Sequence, residues 1–279
     1  MPRLCCGERT LDLERPVVMG ILNVTPDSFS DGGRYLDLRD AVAHALELVE
    51  EGAAIIDIGG ESTRPGARAV APEEELRRVI PVVERLRPLT RAFLSVDTSK
   101  PQVMRAAGAA GADLLNDVWA LREPGALEAA VASGCAVCLM HMQGEPRTMQ
   151  QSPHYADVVG EVRRFLKERV DACLGAGMSA DRIVLDPGFG FGKTLQHNLK
   201  LLSHLREVDV EGLPLLAGLS RKSTIGTLTG RPPQSRLAGS VAAALIAAMN
   251  GARILRVHDV AATADALKVL EAVGYPGSR

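Results

Sequence analysis

The sequence predicts an α/β protein built as a single (β/α)8 barrel. Three observations carry that expectation. Eight short apolar runs are spread along 279 residues. A segment of helical periodicity follows each run. Almost every run is apolar until its last residues, the pattern of parallel strands covered on both faces. Eight such units in roughly 250 residues are what a closed barrel needs.

The first run is 17–24 (VVMGILNV), followed by a helical pattern over 37–51 with Asp37 as its start signal. The second, 55–59 (IIDIG), precedes 73–87, where Pro72 suits the first helical turn. Runs 93–97 (FLSVD) and 114–118 (LLNDV) precede helices over 100–110 and 124–132. The fifth run, 136–142 (AVCLMHM), leads to a helix over 156–176, and the sixth, 183–187 (IVLDP), to one over 195–207. The last two, 215–220 (LLAGLS) and 254–259 (ILRVHD), precede 235–249 and 261–273. Gly52, Gly111, Gly134 and Gly251 stand where left-handed helix ends are expected. Residues 1–16 read as a lead-in to one barrel domain. The runner-up fold, an open doubly wound sheet for a nucleotide, would need a Gly-rich phosphate loop after its first strand. NVTPDSFSDGG contains neither G-x-G-x-x-G nor a Walker A pattern.

Composition narrows the function. Lys plus Arg number 32 and Asp plus Glu 34, a net charge of −2, and aromatics are 3%. That excludes nucleic-acid binding through a global basic field or rows of stacking platforms. No run approaches the ~20 apolar residues of a membrane span, so no membrane partner is expected and a cytoplasmic location is. Five scattered cysteines, Cys5, Cys6, Cys135, Cys138 and Cys173, make a poor disulfide framework. Cys135-x-x-Cys138-x-x-His141 has metal-like spacing, yet on a strand Cys138 and His141 point to opposite faces, so core packing is expected.

The chemistry gathers at the strand ends. Asn23, Asp57, Asp97, Asn116 with Asp117, Met140 with His141, Asp186, Ser220 to Lys222, and Arg256 to Asp259 each close a run. In a barrel these ends converge on one mouth, the usual active face. Residues i and i+2 share a face, so Arg256 and His258 point inward while Leu255 and Val257 suit the helical layer. Carboxylates there suit a donor-rich heterocycle edge, and Arg64, Lys222, Arg256 and His258 suit a phosphate or diphosphate. Asn23 reads either as an oxygen ligand for a cation or as the turn residue opening a long loop. Two long loops, 25–36 and 60–72, follow the first two strands and are of a length that usually carries function.

The chain resembles the dihydropteroate synthases. The resemblance rests on GILNVTPDSFSDGG (20–33), DIGGESTRPGA (57–67), SVDTSK (95–100), LLNDV (114–118), MHMQGEPRTMQ (140–150), LDPGFGFGKT (185–194), GLSRKSTIG (218–226) and RVHDV (256–260). These segments span nearly the whole chain and all lie at strand ends or just beyond. The resemblance implies a TIM barrel whose active site lies at the C-terminal ends of the strands. It implies a homodimeric transferase, dependent on Mg2+ and targeted by sulfonamides. The reaction implied joins p-aminobenzoate to 6-hydroxymethyl-7,8-dihydropterin diphosphate, giving 7,8-dihydropteroate and pyrophosphate.

The same resemblance assigns residues. Asp186, Lys222, Asp97 and Arg256 would carry the chemistry. Thr63, Asp97, Asn116, Val118, Met140, Asp186, Gly218, Lys222, Arg256 and His258 would bind the pterin diphosphate, and Asn23 the Mg2+. Phe29, Arg64, Pro65, Phe191, Arg221 and Ser223 would form the p-aminobenzoate side, with a helix starting near Ser223 facing its carboxylate. Two other readings share the barrel: a methyltransferase acting on a methylated folate, and a non-catalytic pterin-binding paralogue. The first has no need of Arg256, His258 and Lys222 around a diphosphate; the second would have lost some of them. The Ala-rich, almost wholly apolar stretch 238–252 belongs in the barrel wall or at an interface.

Overall fold

The computed structural model describes residues 3–24, 34–62, 69–145 and 148–274. Its centre is a closed barrel of eight parallel strands: β3 (Val17–Asn23), β4 (Ile55–Gly59), β5 (Phe93–Asp97), β6 (Leu114–Asp117), β7 (Ala136–Met140), β8 (Ile183–Asp186), β9 (Leu215–Ala217) and β10 (Ala252–Val257). β10 pairs with β3 to close the ring, with Arg256 opposite Met19. All eight expected strands are present, each within a few residues of its expected place.

The helices α1 (Arg34–Glu50), α2 (Pro72–Leu86), α3 (Pro101–Ala109), α4 (Ala126–Ser133), α5 (Val158–Gly175), α6 (Leu195–Ser203), α8 (Leu237–Met249) and α9 (Val260–Ala272) alternate with the strands. A short α7 (Ser223–Thr229) precedes α8. Helix α1 begins at Arg34, so Asp37 lies inside its first turn and not before it. The helix expected over 195–207 breaks at His204, and a 3-10 turn over Leu205–Val208 finishes the segment. Gly52, Gly111, Gly134 and Gly251 do adopt positive φ, as helix ends of this kind require.

The strand faces divide the interior in two. Outward side chains such as Leu94, Val96, Leu115, Val137, Leu255 and Val257 join helical residues in one large apolar layer. Inward side chains at the strand starts, Met19, Ile55, Leu114, Ala136, Val184, Leu216 and Ile254, form a separate apolar cluster with Cys138. That cluster is capped by a hairpin, β1 (Arg3–Cys6) and β2 (Arg9–Asp12), whose Leu4 and Leu11, with Leu13, plug the barrel bottom. The hairpin lies within the expected lead-in, 1–16, for which the sequence predicts no element. Its four-residue strands were too short to show a period. Cys138 packs inside the barrel, as expected, whereas His141 lies beyond the strand end, where the strand alternation no longer sets its side.

Candidate active site

The inward positions change character two or four residues up the strands. Ile55 is followed on the same face by Asp57, Phe93 by Ser95 and Asp97, Leu114 by Asn116, Val184 by Asp186 and Ile254 by Arg256. The register sets Asp97 beside Asn116 and Met140 beside Asp186. Tertiary structure therefore gathers Asp97, Asn116, Met140, Asp186, Gly218, Lys222, Arg256 and Asn23 at one mouth, as expected.

Arg256 organises the ring. Its Nε donates to Asp57 Oδ2 at 2.6 Å and its Nη2 to Asp97 Oδ2 at 2.8 Å. Asp57 is fully buried and also accepts from Ser95 Oγ at 2.6 Å and from Asn116 Nδ2 at 3.1 Å. Its oxygens are thus used by protein donors, and it orients Arg256 and Asn116 for others. Asp57 was visible as a polar strand residue but carried no role. The only signal in the sequence was its parity with the apolar Ile55. Burial pushes the Asp97 carboxyl up to about 7 while the Arg256 guanidinium pulls it back.

Asp186 sits deeper, 6% exposed, and accepts from the Gly188 backbone N–H at 2.7 Å. Burial raises its pKa, and Lys222 opposes the rise. Lys222 reaches the Phe189 carbonyl, and its ammonium lies 4.7 Å from the Phe191 ring centroid. Burial lowers its pKa to about 8, against the attraction of Asp186. Val118, Met140, Met142 and Met149 form a small apolar cluster at the mouth, with Trp119 and Phe191 packed on it. A flat ring entering here meets an apolar face and a rim of carboxylate and amide.

The cation-bearing side of the mouth is open where glycine makes it so. A Cβ on Gly59 would lie 3.9 Å from Asp97 Oδ2 and 4.0 Å from Asn23 Oδ1, and one on Gly218 would lie 3.9 Å from Lys222 Nζ. His258 Nδ1 lies 3.0 Å from Ser220 Oγ, which fixes the ring toward β9. Arg221 pairs in two-pronged fashion with Asp259, Nε to Oδ2 at 3.0 Å, and holds a left-handed φ of 57°. Its guanidinium is therefore partly committed to Asp259. Ser223 opens α7 and is exposed. Asp117, expected among the polar strand ends, faces away and caps the following turn through Trp119 and Leu121 N–H. Thr63, Arg64, Pro65 and Phe29 lie outside the described residues.

The base of the second loop is tied down. Lys100 bridges Glu61 and Glu75, Glu61 accepts from Val70 N–H at 3.2 Å, and Arg78 donates to the Gly60 carbonyl at 2.8 Å. A cavity of about 560 Å³ flanks Asp97 and Val118 here, lined also by Lys100, Trp119 and Glu123.

A barrel whose mouth combines buried carboxylates, an amide and clustered cations over an apolar floor defines an enzyme for a polar ring bearing a phosphate ester. The family described as "Pterin binding enzyme" matches residues 19–258. The dihydropteroate synthase of Escherichia coli K12 is 57% identical over 263 residues, 94% of this chain and 93% of that protein. Xanthomonas albilineans dihydropteroate synthase with 4-aminobenzoic acid superposes with TM-score 0.92 at 61% identity, covering 98% of each chain. Yersinia pestis dihydropteroate synthase in a sulfonamide drug complex superposes with TM-score 0.92 at 55% identity, over 97% of this chain and 98% of that one. The chain belongs to the dihydropteroate synthase family, transferases on a TIM barrel.

Proposed function

We propose that this chain condenses p-aminobenzoate with 6-hydroxymethyl-7,8-dihydropterin diphosphate, releasing pyrophosphate and 7,8-dihydropteroate. The observation that carries the reading is the Arg256 fork between Asp57 and Asp97, with Asp186 and Lys222 across the mouth. It joins a carboxylate rim for the pterin's N–H donors to cations for the diphosphate, and neither rival reading needs both. Asp186 accepts from the pterin's amino edge and stabilises positive charge spreading into the ring as the methylene–oxygen bond loosens. Asn116, held by Asp57, reads the adjacent edge; Val118 and Met140 cover the ring's face. Arg256 and His258, with Thr63, take the charge that grows on the leaving diphosphate oxygen. The arylamine nitrogen attacks with its own lone pair, so no strong general base is required. Phe29, Arg64, Pro65, Phe191, Arg221 and Ser223 place the p-aminobenzoate, and the loops order around the diphosphate first.

A magnesium ion fits this mouth. Among the described residues no three His, Cys, Asp or Glu groups form a metal cluster. Asn23 Oδ1 nevertheless faces the gap that Gly59 leaves beside Asp97. One neutral oxygen is what an ion carried mainly by diphosphate oxygens and water asks of the protein. Asn23 would hold it there, and the ion would supply charge neutralisation on the leaving group.

The working state is a homodimer. Leu228, Leu237, Ile246, Val269 and Val273 on and just after α7, α8 and α9 are between 44% and 72% exposed. They lie on or beside three successive helices, and a second copy of the chain would cover them. Sedimentation should give twice the chain mass, and Ile246→Glu should shift it toward the monomer. Among the described residues no helix is long and apolar enough to cross a membrane. Five free thiols, four of them buried, agree with a reducing cytoplasmic setting.

The deciding assay is pyrophosphate release with pterin diphosphate, p-aminobenzoate and Mg2+. Release that requires all three, and competition by a sulfonamide against p-aminobenzoate, is the expected result. Pterin binding without release would return weight to the paralogue or the methyltransferase.

A further inference from the structure

Two buried titratable residues have no part in the scheme above. Lys193 is 3% exposed and His141 5% exposed. They meet each other. Lys193 Nζ donates to the Gly188 carbonyl at 2.9 Å and to the Phe191 carbonyl at 3.0 Å, and lies 2.9 Å from His141 Nδ1. The His141 carbonyl is a longer fourth partner at 3.4 Å. For His141 to accept at Nδ1, its ring must be neutral with the proton on Nε2. Its surroundings enforce that: Phe165 packs edge-on at 4.9 Å, and burial and the Lys193 charge pull its pKa down to about 2.

The loop that Lys193 gathers is 187–193, PGFGFGK, which starts next to Asp186 and carries Phe191. Three of its glycines have positive φ: Gly188 at 68°, Gly190 at 82° and Gly192 at 59°. A Cβ on Gly188 would stand 1.9 Å from the His141 carbonyl oxygen, and one on Gly192 would stand 2.4 Å from that of Gln143. The loop is thus pressed on the backbone that follows β7, and the carbonyls of its buried residues Gly188, Phe189 and Gly192 are bonded within the protein. Such carbonyls need donors. Tyr155 Oη supplies Gly192 at 2.9 Å and Lys222 supplies Phe189. The Gly188 carbonyl accepts from the Phe191 N–H across the turn at 3.1 Å and from Lys193, and the Phe191 carbonyl accepts from Lys193.

We propose that Lys193, with neutral His141 as its acceptor, is a positioning residue of the pterin site, clamping the 187–193 loop so that Asp186 and Phe191 hold their places against the pterin ring. The inference rests on the synthase reading. Without the clamp the Phe191 carbonyl loses its donor and the Gly188 carbonyl loses one of two, the loop relaxes toward water, and Asp186 loses the Gly188 N–H that aims its Oδ1.

The experiment measures binding of the pterin diphosphate by calorimetry without p-aminobenzoate, in wild type, Lys193→Met, His141→Phe and His141→Asn. Asparagine offers a neutral acceptor near the Nδ1 position; phenylalanine keeps the ring and removes it. The expected result is a Kd raised about tenfold or more in Lys193→Met and His141→Phe. The number of sites should stay near one per chain, because a misplaced loop weakens every site. Partial unfolding would instead remove sites and leave Kd alone. His141→Asn should return to within about threefold of wild type. Wild-type Kd in the first two variants, a fall in stoichiometry in place of affinity, or no recovery in His141→Asn would overturn the proposal. Should Lys193→Met fail to fold, the two histidine variants decide it alone. A wild-type chain that releases no pyrophosphate would overturn the synthase reading itself, separately from any difference among the variants.

Discussion

The two ends of the barrel interior are built by the same eight strands in the same alternation, and they do opposite things. At the bottom, Met19, Ile55, Leu114, Val184, Leu216 and Ile254 meet the hairpin's Leu4 and Leu11, and nothing there needs a partner. At the mouth, two or four residues further along the same faces, the positions are Asp57, Asp97, Asn116, Asp186 and Arg256. There each buried charge must be matched. Asp57 is completely buried and lives on three donors from three other strands. Apolar packing is non-directional, so the bottom tolerates change in proportion to volume. The mouth is a closed set of directional bonds, so removing one member strands the others. The contrast explains how one barrel can be stable at one end and reactive at the other.

The most severe way to break the contrast is at Arg256. Arg256→Met leaves Asp57 and Asp97 buried without their cation. It should lower kcat/KM by about a thousandfold or more and stability by about 3–5 kcal/mol in urea unfolding. Asp186→Asn keeps shape and hydrogen-bonding size but removes the charge. It should cost about 10² to 10³ in kcat, with a melting temperature within a few degrees of wild type. A loss of activity accounted for by melting would make Asp186 a structural carboxylate.

The bottom should answer in the opposite sense. Leu13 is fully buried in the plug. Leu13→Ala should cost about 2–5 kcal/mol of stability and leave kcat/KM at 25 °C within about twofold. A large kinetic effect would show that the two ends are coupled and the contrast false.

The mildest test is pH. Burial lowers the Lys222 pKa to about 8. Its ammonium balances Asp186 and lies near the Phe191 ring, so kcat/KM should fall as pH rises through about 8. Lys222→Arg should move that limb to higher pH. Stability runs the other way for this group. Between about pH 8 and the ordinary lysine value of 10.5 the unfolded chain binds more protons than the folded one. This contribution to stability therefore rises with pH across that window. A kcat/KM that stays flat through pH 9 would remove Lys222 from the chemistry.

Much of this was legible in the sequence because it depends on periods. Strands of period two, helices of period 3.6 and their strict alternation specify the barrel, and the parity of Arg256 with His258, or of Leu255 with Val257, specifies which face each takes. Polar residues at strand ends then fall at the mouth by topology alone. What stayed hidden was pairing. Arg256 and Asp57 are 199 positions apart, and Lys193 and His141 are 52. No local pattern announces which buried acceptor a distant donor will meet. The β1–β2 plug was missed for a related reason, since four-residue strands have too little length to show alternation. His204, where the expected long helix breaks, is a residue whose helix propensity forbids nothing. The sequence by itself therefore determined the fold class, the location of the reactive end and the residue types placed there, because these follow from local periodicity. Only the tertiary structure decided that Asp57 serves Arg256 and Asn116, that Lys193 gathers the Gly188 and Phe191 carbonyls, and that a hairpin closes the bottom. Those outcomes depend on which desolvated groups come within hydrogen-bond reach once the ring is closed.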